Sequence, residues 1–124
     1  MLVNKSLNET LRDLLKSDKK VILMGEDILD PYGGAFKVTK GLSKIFPKQV
    51  YPTPISEAGI VGVGTGLSMM GFKPIIEIMF GDFITLCADQ IINHLSKFYF
   101  LHDSLKPGSI VIRTPMGGGR GYGP

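Results

Sequence analysis

The sequence is poor in the residues on which several protein classes depend. It holds a single cysteine, Cys87, so no internal disulfide can form. The neighbours Leu86 and Ala88 mark that cysteine as a small buried hydrophobe, which suits a reducing compartment. There are only two histidines, His94 and His102, both read as polar residues of a helix surface, and no His/Cys cluster or carboxylate pair offers a protein-only metal site. Long hydrophobic runs are missing too. The longest uncharged stretch, residues 58–72, is shorter than the roughly 18–20 residues a membrane helix needs and is rich in glycine. The opening MLVNKSLNETLRDLL lacks the charged head, apolar run and small-residue cleavage site of a secretory signal, so a cytoplasmic protein is expected, or a mitochondrial-matrix one in a eukaryote. The net charge of +3 comes from scattered lysines rather than a basic block interleaved with aromatics, which argues against nucleic-acid binding.

What remains is an ordinary globular composition, 44% apolar and 20% charged over 124 residues, enough for one domain at the small end for an α/β enzyme. Leu7, Leu11, Leu14 and Leu15 recur at helical spacing to about Lys16, with Ser6 as the expected cap and Glu9 three residues on. The apolar run 21–24 predicts a buried strand feeding the loop GEDILDPYGG. A short helix is predicted over 39–46, stopped by Pro47, and a second strand over 49–51. Residues 74–80 predict a third strand, 83–100 a long helix and 109–113 a fourth strand. Strands alternating with helices imply an α/β fold, a parallel sheet flanked by helices on both faces. Beyond the fourth strand comes a glycine-rich loop, where ligand loops of such sheets gather. The domain, residues 1–124, is expected to be incomplete at its carboxyl end.

The stretch PISEAGIVGVGTGL, residues 54–67, puts four glycines within eight residues beside one carboxylate. A dinucleotide loop needs G-x-G-x-x-G, and this stretch fails twice: the third glycine position holds Leu67 in one register and Met69 in the other. As a helix over 56–70 it places Gly59, Gly62, Gly66 and Met70 on one stripe. Several glycines in a helix interior, each costing up to about 1 kcal/mol against alanine, call for close packing, either within the domain or against another subunit. Glu57 is the only side chain of residues 49–72 expected to be charged at neutral pH, and it stands at the positive end of that helix. Complementing the helix dipole is one role for it and catalysis another.

Taken together, MGEDILDPYGGAFKVTKGL, YPTPISEAGIVGVGTGLSMMGFKPIIEIMFGDF, ADQIIN and VIRTPMGGGRGYGP resemble the beta subunit of the thiamine-diphosphate-dependent decarboxylating component of 2-oxo acid dehydrogenase complexes, over nearly the whole chain. The resemblance is to the amino-terminal part of its pyrimidine-binding domain, a domain type shared with transketolase. It implies that Glu57 hydrogen-bonds the ring nitrogen of the cofactor's aminopyrimidine. A carboxyl group among apolar neighbours can share a proton there and so help to generate the cofactor's nucleophilic carbon. It implies further that Met79 and Phe83 of EIMFGDF flank the ring, as a polarizable sulfur and an aromatic face can. Glu26 of GED corresponds to an acidic residue near the cofactor and the subunit boundary, although a loop carboxylate capping a turn would look the same.

The resemblance also implies what the chain would need from others. The diphosphate, with its magnesium, would be held by an alpha subunit, since Gly81-Asp82-Phe83 does not continue as the family's GDG motif. A second beta subunit would complete a heterotetramer, a small 2-oxo acid would be the substrate, and a lipoyl acyltransferase would take the acyl group. Two other readings stay open: a transketolase-type enzyme of sugar phosphates, and a non-catalytic oligomerisation module that uses the glycine stripe.

Overall fold

The computed structural model describes residues 2–102 and 108–119. Four parallel strands form one sheet: β1 (Val21–Gly25), β2 (Val50–Pro52), β3 (Lys73–Glu77) and β4 (Val111–Arg113), in the order β2-β1-β3-β4. Every residue of β1 is buried, as expected for an inner parallel strand covered on both sides. Alternate side chains feed two cores. Val21, Leu23 and Ile75 join Leu11 and Leu15 of α1 (Val3–Ser17) on one face. Met24, Ile76 and Ile78 join Ile60 and Val61 of α3 (Glu57–Met69) on the other. The parallel sheet with helices on both faces is therefore present.

Several local expectations are corrected. α1 starts at Val3, not at a Ser6 cap, because the Leu2 carbonyl already accepts the Lys5 and Ser6 amides at 3.1 Å. Asn8 ties this helix to the loop leaving β1 through the carbonyls of Val38, at 2.6 Å, and Lys40. The helix expected over 39–46 shrinks to α2 (Leu42–Ile45), since Gly41 at φ +85° lies outside the helical region and Asp30 takes its amide.

The long helix expected over 83–100 does not exist as one element. It is a 3₁₀ stretch (Gly81–Cys87), a π-helical stretch (Gln90–Leu95) and a single α-turn, α4 (Phe98–Leu101). Its core-facing residues explain the change of winding: Ile84 and Cys87 are three apart, which a 3₁₀ turn stacks on one face, and Ile91 follows four later. His94 lies in the π stretch, exposed and 3.4 Å from Asp89, and the His102 ring packs on Phe98.

Of the glycine stripe of α3 only Gly62 meets another element, with Gln90 Oε1 3.5 Å from where its Cβ would fall, and the close packing on the sheet is not made by the stripe. Gly64 makes it, from off the stripe: a Cβ there would overlap Ile76 Cδ1 and lie 3.2 Å from its Cγ1. Gly59 and Gly66 are exposed, and nothing lies within 4 Å of a Cβ built on Gly66. Val63 between them is 57% exposed, so one apolar face of α3 is open.

Candidate functional site

The chain leaves β1 outward to β2, then crosses back over β1 to β3 and on to β4. Its direction across the sheet thus reverses between β1 and β3. The loop after β1 packs on the α1 face through Ile28, Val38 and Leu42, whereas the segment after β3 packs on the α3 face through Ile84, Cys87 and Ile91. Where neighbouring exits part to opposite faces, a crevice opens at the carboxyl ends of the strands, and ligands of open α/β sheets bind there.

Glu26 stands at this switch point, one residue beyond β1 and 6% exposed. Glu57 arrives from the neighbouring β2 exit as the first residue of α3 and is 7% exposed. The Ser56 side chain caps that helix by accepting the Gly59 amide at 3.3 Å, which fixes the turn presenting Glu57. The two carboxyl groups interact. Burial raises the Glu26 pKa above the ordinary carboxylate range, the Glu57 charge raises it further and Asp27 adds to this, with the Ser56 amide opposing. Cys87, closing the 3₁₀ stretch, is buried as expected; burial pushes its thiol up, and the Glu57 charge contributes in the same direction. Glu26, Glu57 and Cys87 therefore share one neighbourhood on the α3 side of the switch point.

Met79 and Phe83 stand on the adjacent exit, beyond β3. Met79 is partly buried and Phe83 is 37% exposed, part of an edge-to-face chain in which Phe80 lies 6.1 Å from Phe36 and 5.8 Å from Phe83. They occupy the same edge of the sheet as the carboxylates. Among the described residues, three buried side-chain oxygens lack a protein partner: Glu26 Oε1, Thr53 Oγ1 and Thr114 Oγ1. All three lie one residue past a strand end, at that same edge. No group of three or more His, Cys, Asp or Glu among the described residues could hold a metal ion. Beside the site runs an apolar groove of about 640 Å³ between β2 and α3, lined by Met24, Tyr51, Thr53, Ser56, Ile60 and Leu67 among others. Neither Glu26 nor Glu57 lines it, so it adjoins the site rather than forming it.

Sequence reasoning missed Glu77 and Arg113. Each ends its strand, β3 and β4, and the two are register partners whose side chains form a buried ion pair between Glu77 Oε2 and Arg113 Nη1. Burial raises the Glu77 pKa, and the Arg113 charge only partly offsets this. A signal was available: in each of the apolar strands 74–78 and 109–113 there is a single charge, and a charge inside a covered sheet needs a partner.

A parallel sheet with a switch-point pair of buried carboxyls defines an α/β ligand-binding domain whose site opens at the strand carboxyl ends. Residues 1–122 match the family model for the pyrimidine-binding domain of transketolase, and the chain belongs to that family. It is 44% identical over 115 residues to the pyruvate dehydrogenase E1 component subunit beta of Leifsonia xyli, which covers 92% of this chain and 34% of that protein. Over 120 residues it is 39% identical to the mitochondrial pyruvate dehydrogenase E1 component subunit beta of Homo sapiens, covering 96% and 33%. The corresponding mitochondrial beta-1 subunit of Arabidopsis thaliana is 40% identical over 124 residues, covering 99% and 34%. The chain thus spans about a third of the length of these curated relatives.

Proposed function

We propose that this chain is the pyrimidine-binding half of a thiamine-diphosphate-dependent 2-oxo acid dehydrogenase, working at a composite site whose other half comes from an alpha subunit. The observation that supports the reading is the buried Glu57 at the start of α3, close enough to the buried Glu26 at the switch point for its charge to act on it. The residues fit an aminopyrimidine: carboxyl oxygens accept from its amino group or share a proton with a ring nitrogen, and Glu26 Oε1 and Thr53 Oγ1 still require partners. When bound, thiamine diphosphate supplies the nucleophilic carbon and the electron sink for decarboxylation.

In this reading Glu57 holds or releases a proton at the pyrimidine ring, while Glu26 stands beside it as a second carboxyl acceptor. Met79 and Phe83 shield one side of the ring from water. In this reading magnesium enters with the diphosphate on the partner. The relatives named above are pyruvate dehydrogenase components, so pyruvate is the proposed 2-oxo acid, with a lipoyl acyltransferase as acceptor and a second beta subunit completing a heterotetramer. A cytoplasmic or mitochondrial-matrix setting accords with the free, buried Cys87. Among the described residues no helix is long and apolar enough to cross a membrane. The open face of α3 favours a protein contact and suits the same assembly.

Calorimetry with thiamine diphosphate and magnesium, with and without a cognate alpha subunit, tests the proposal. Binding and pyruvate turnover are expected in the mixture alone. Self-association without any cofactor response in the mixture would instead support a purely oligomeric module. Glu57→Gln should leave folding and assembly intact and lower turnover by a hundredfold or more, about the contribution of one positioned acid–base group. Turnover within a fewfold of wild type refutes the assigned role.

A further inference from the structure

The buried Glu77–Arg113 pair sits beneath the switch point, on the sheet face opposite Glu57. Strand alternation puts Glu77 on the side of Ile75, whereas Ile76 and Ile78 face α3. Its carboxyl has two neighbours. Oε2 meets Arg113, and Oε1 lies 2.9 Å from where a Cβ on Gly34 would fall, with Thr39 Oγ1 at 3.3 Å from the same point. On the β1 side, Gly25 is the register partner of Glu77, and a Cβ there would come within 2.6 Å of the Glu77 carbonyl oxygen. One side chain thus touches the exits of three strands: the Gly34 turn after β1, its own, and β4.

Packing specifies only weakly where β4 pairs, through Ile110 and Ile112, which rest partly buried against the α3-side core. The strand is three residues long, Val111 is 52% exposed, and Ile112 and Arg113 are only partly buried. A slip by one residue would invert every side chain, and so little buried apolar surface resists a slip weakly. A buried ion pair adds little net stability compared with apolar residues of the same volume, but it is directional and penalises any register that leaves one charge unpaired. Two backbone bonds depend on that register: Ile78 N–H to Arg113 O at 2.9 Å and Gly81 N–H to Pro115 O at 3.0 Å. These two bonds bracket Met79 and Phe80. Met116 then packs on Gly81, where a Cβ would sit 3.0 Å from its Cε and 3.1 Å from its Sδ.

We infer that Glu77 and Arg113 are a positioning pair: their ion pair sets the β3–β4 register and thereby holds the Met79–Phe83 segment opposite the Glu26 and Glu57 carboxyls. The inference rests on the cofactor reading above for its consequence and on this chain's own hydrogen bonds for its cause.

The test uses the full-length protein assembled with its alpha subunit, comparing wild type, Glu77→Gln, Arg113→Lys and the neutral pair Glu77→Gln/Arg113→Met. Three quantities are read: melting temperature, amide hydrogen exchange at Ile78 and Gly81 without cofactor, and thiamine diphosphate affinity in the presence of magnesium. In Glu77→Gln, exchange at Gly81 should accelerate at least tenfold and the cofactor should bind about 10- to 100-fold more weakly, the usual effect of losing an outer partner of a site. Arg113→Lys keeps the charge without the planar fork and should fall between. The neutral pair, which leaves no lone buried charge, should regain the wild-type melting temperature while Gly81 exchange and cofactor affinity stay impaired. A merely structural pair would recover all three together, and that outcome overturns the inference, as does a folded Glu77→Gln with unchanged exchange and affinity. A wild-type assembly that ignores thiamine diphosphate removes the cofactor reading alone, because Gly81 exchange still reports whether the pair sets the register.

Discussion

Two glycines of α3 are expected to respond in opposite directions to the same added methyl group. At Gly66 the space is empty, so Gly66→Ala meets no clash and gains helix propensity, up to about 1 kcal/mol. Gly64→Ala gains the same propensity but drives its Cβ into Ile76 Cδ1, and Ile76 is fully buried, with Ile110 Cδ1 closing the space at 3.6 Å. Forcing a methyl group into a packed core costs about 1–3 kcal/mol, which exceeds the gain at most of that range. The two variants should therefore differ by about 1–3 kcal/mol, with Gly66→Ala the more stable. With a urea slope of about 1–3 kcal/mol per molar, their unfolding midpoints should separate by roughly 1 M.

A third variant identifies the cause. Ile76→Val removes the methyl group in the way at a cost of about 0.5–1.5 kcal/mol. Combined with Gly64→Ala it should cost less than the sum of the singles, by about 1 kcal/mol in a double-mutant cycle. Equal midpoints for the two alanine variants, or strict additivity with Ile76→Val, would refute the packing argument. The same pair of variants reports on the open face of α3. If an assembly partner covers it, Gly66→Ala should weaken association while stabilising the fold, whereas Gly64→Ala should spare association wherever it folds.

Two further outcomes follow from the loops around the site. Glu26 has its pKa raised in the folded state from an ordinary 4.5, chiefly by burial, so the folded chain binds more protons than the unfolded one above that pH. The Glu26 contribution to stability is then most favourable at low pH and is lost as pH climbs from about 4.5 through the folded pKa. Glu26→Gln should raise the melting temperature at pH 7 and leave it unchanged near pH 4, while weakening thiamine diphosphate binding in the assembled enzyme; a pH-independent change in melting temperature would contradict this. Asp30 accepts the Gly41 amide at 2.8 Å and the Ser43 hydroxyl at 2.6 Å, which depress its pKa, the hydroxyl most of all. Asp30→Ala should cost about 1–3 kcal/mol in urea unfolding, for two hydrogen bonds to an ionised acceptor, and Asp30→Asn less; equal stability for wild type and Asp30→Ala would show that the loop draws nothing from it.

Much of the architecture was legible because it depends on period and run length. Apolar runs gave β1 and β3, and the helix expected over 56–70 is present as α3, with Ser56 as its cap rather than its first residue. Local rules failed where tertiary contacts outweighed them. Ser6 has the spacing of a capping box, yet Asn8 must reach Val38 and Lys40, and the helix extends a full turn earlier. The stretch 83–100 has helical composition, but the three-residue step from Ile84 to Cys87 tightens its first turns. The stripe of Gly59, Gly62 and Gly66 was visible as a pattern, while the tight contact with the sheet, Gly64 on Ile76, depends on which strand lies beneath the helix. Period does not encode that.

The site was legible for a different reason. In a parallel sheet all strands end on one side, so polar residues placed just after apolar runs are brought together however distant they are in sequence. Glu26 follows β1, Thr53 follows β2 and Thr114 follows β4, and each carries a buried oxygen with no partner among the described residues. At the β3 exit the strand ends on Glu77, whose carboxyl is engaged by Arg113. That contrast separates two kinds of buried polar group along one edge. The unpartnered oxygens cost free energy in the chain by itself and are tolerable where a ligand or another subunit supplies the missing bond. The paired one adds direction to a short β4 whose Ile110 and Ile112 are only partly buried against the core. A strand-exit residue on this fold is therefore better sorted by whether its polar atoms are satisfied within the chain than by its distance from Glu57, and on that criterion Thr53 groups with Glu26 as an unsatisfied group and Arg113 with the paired frame.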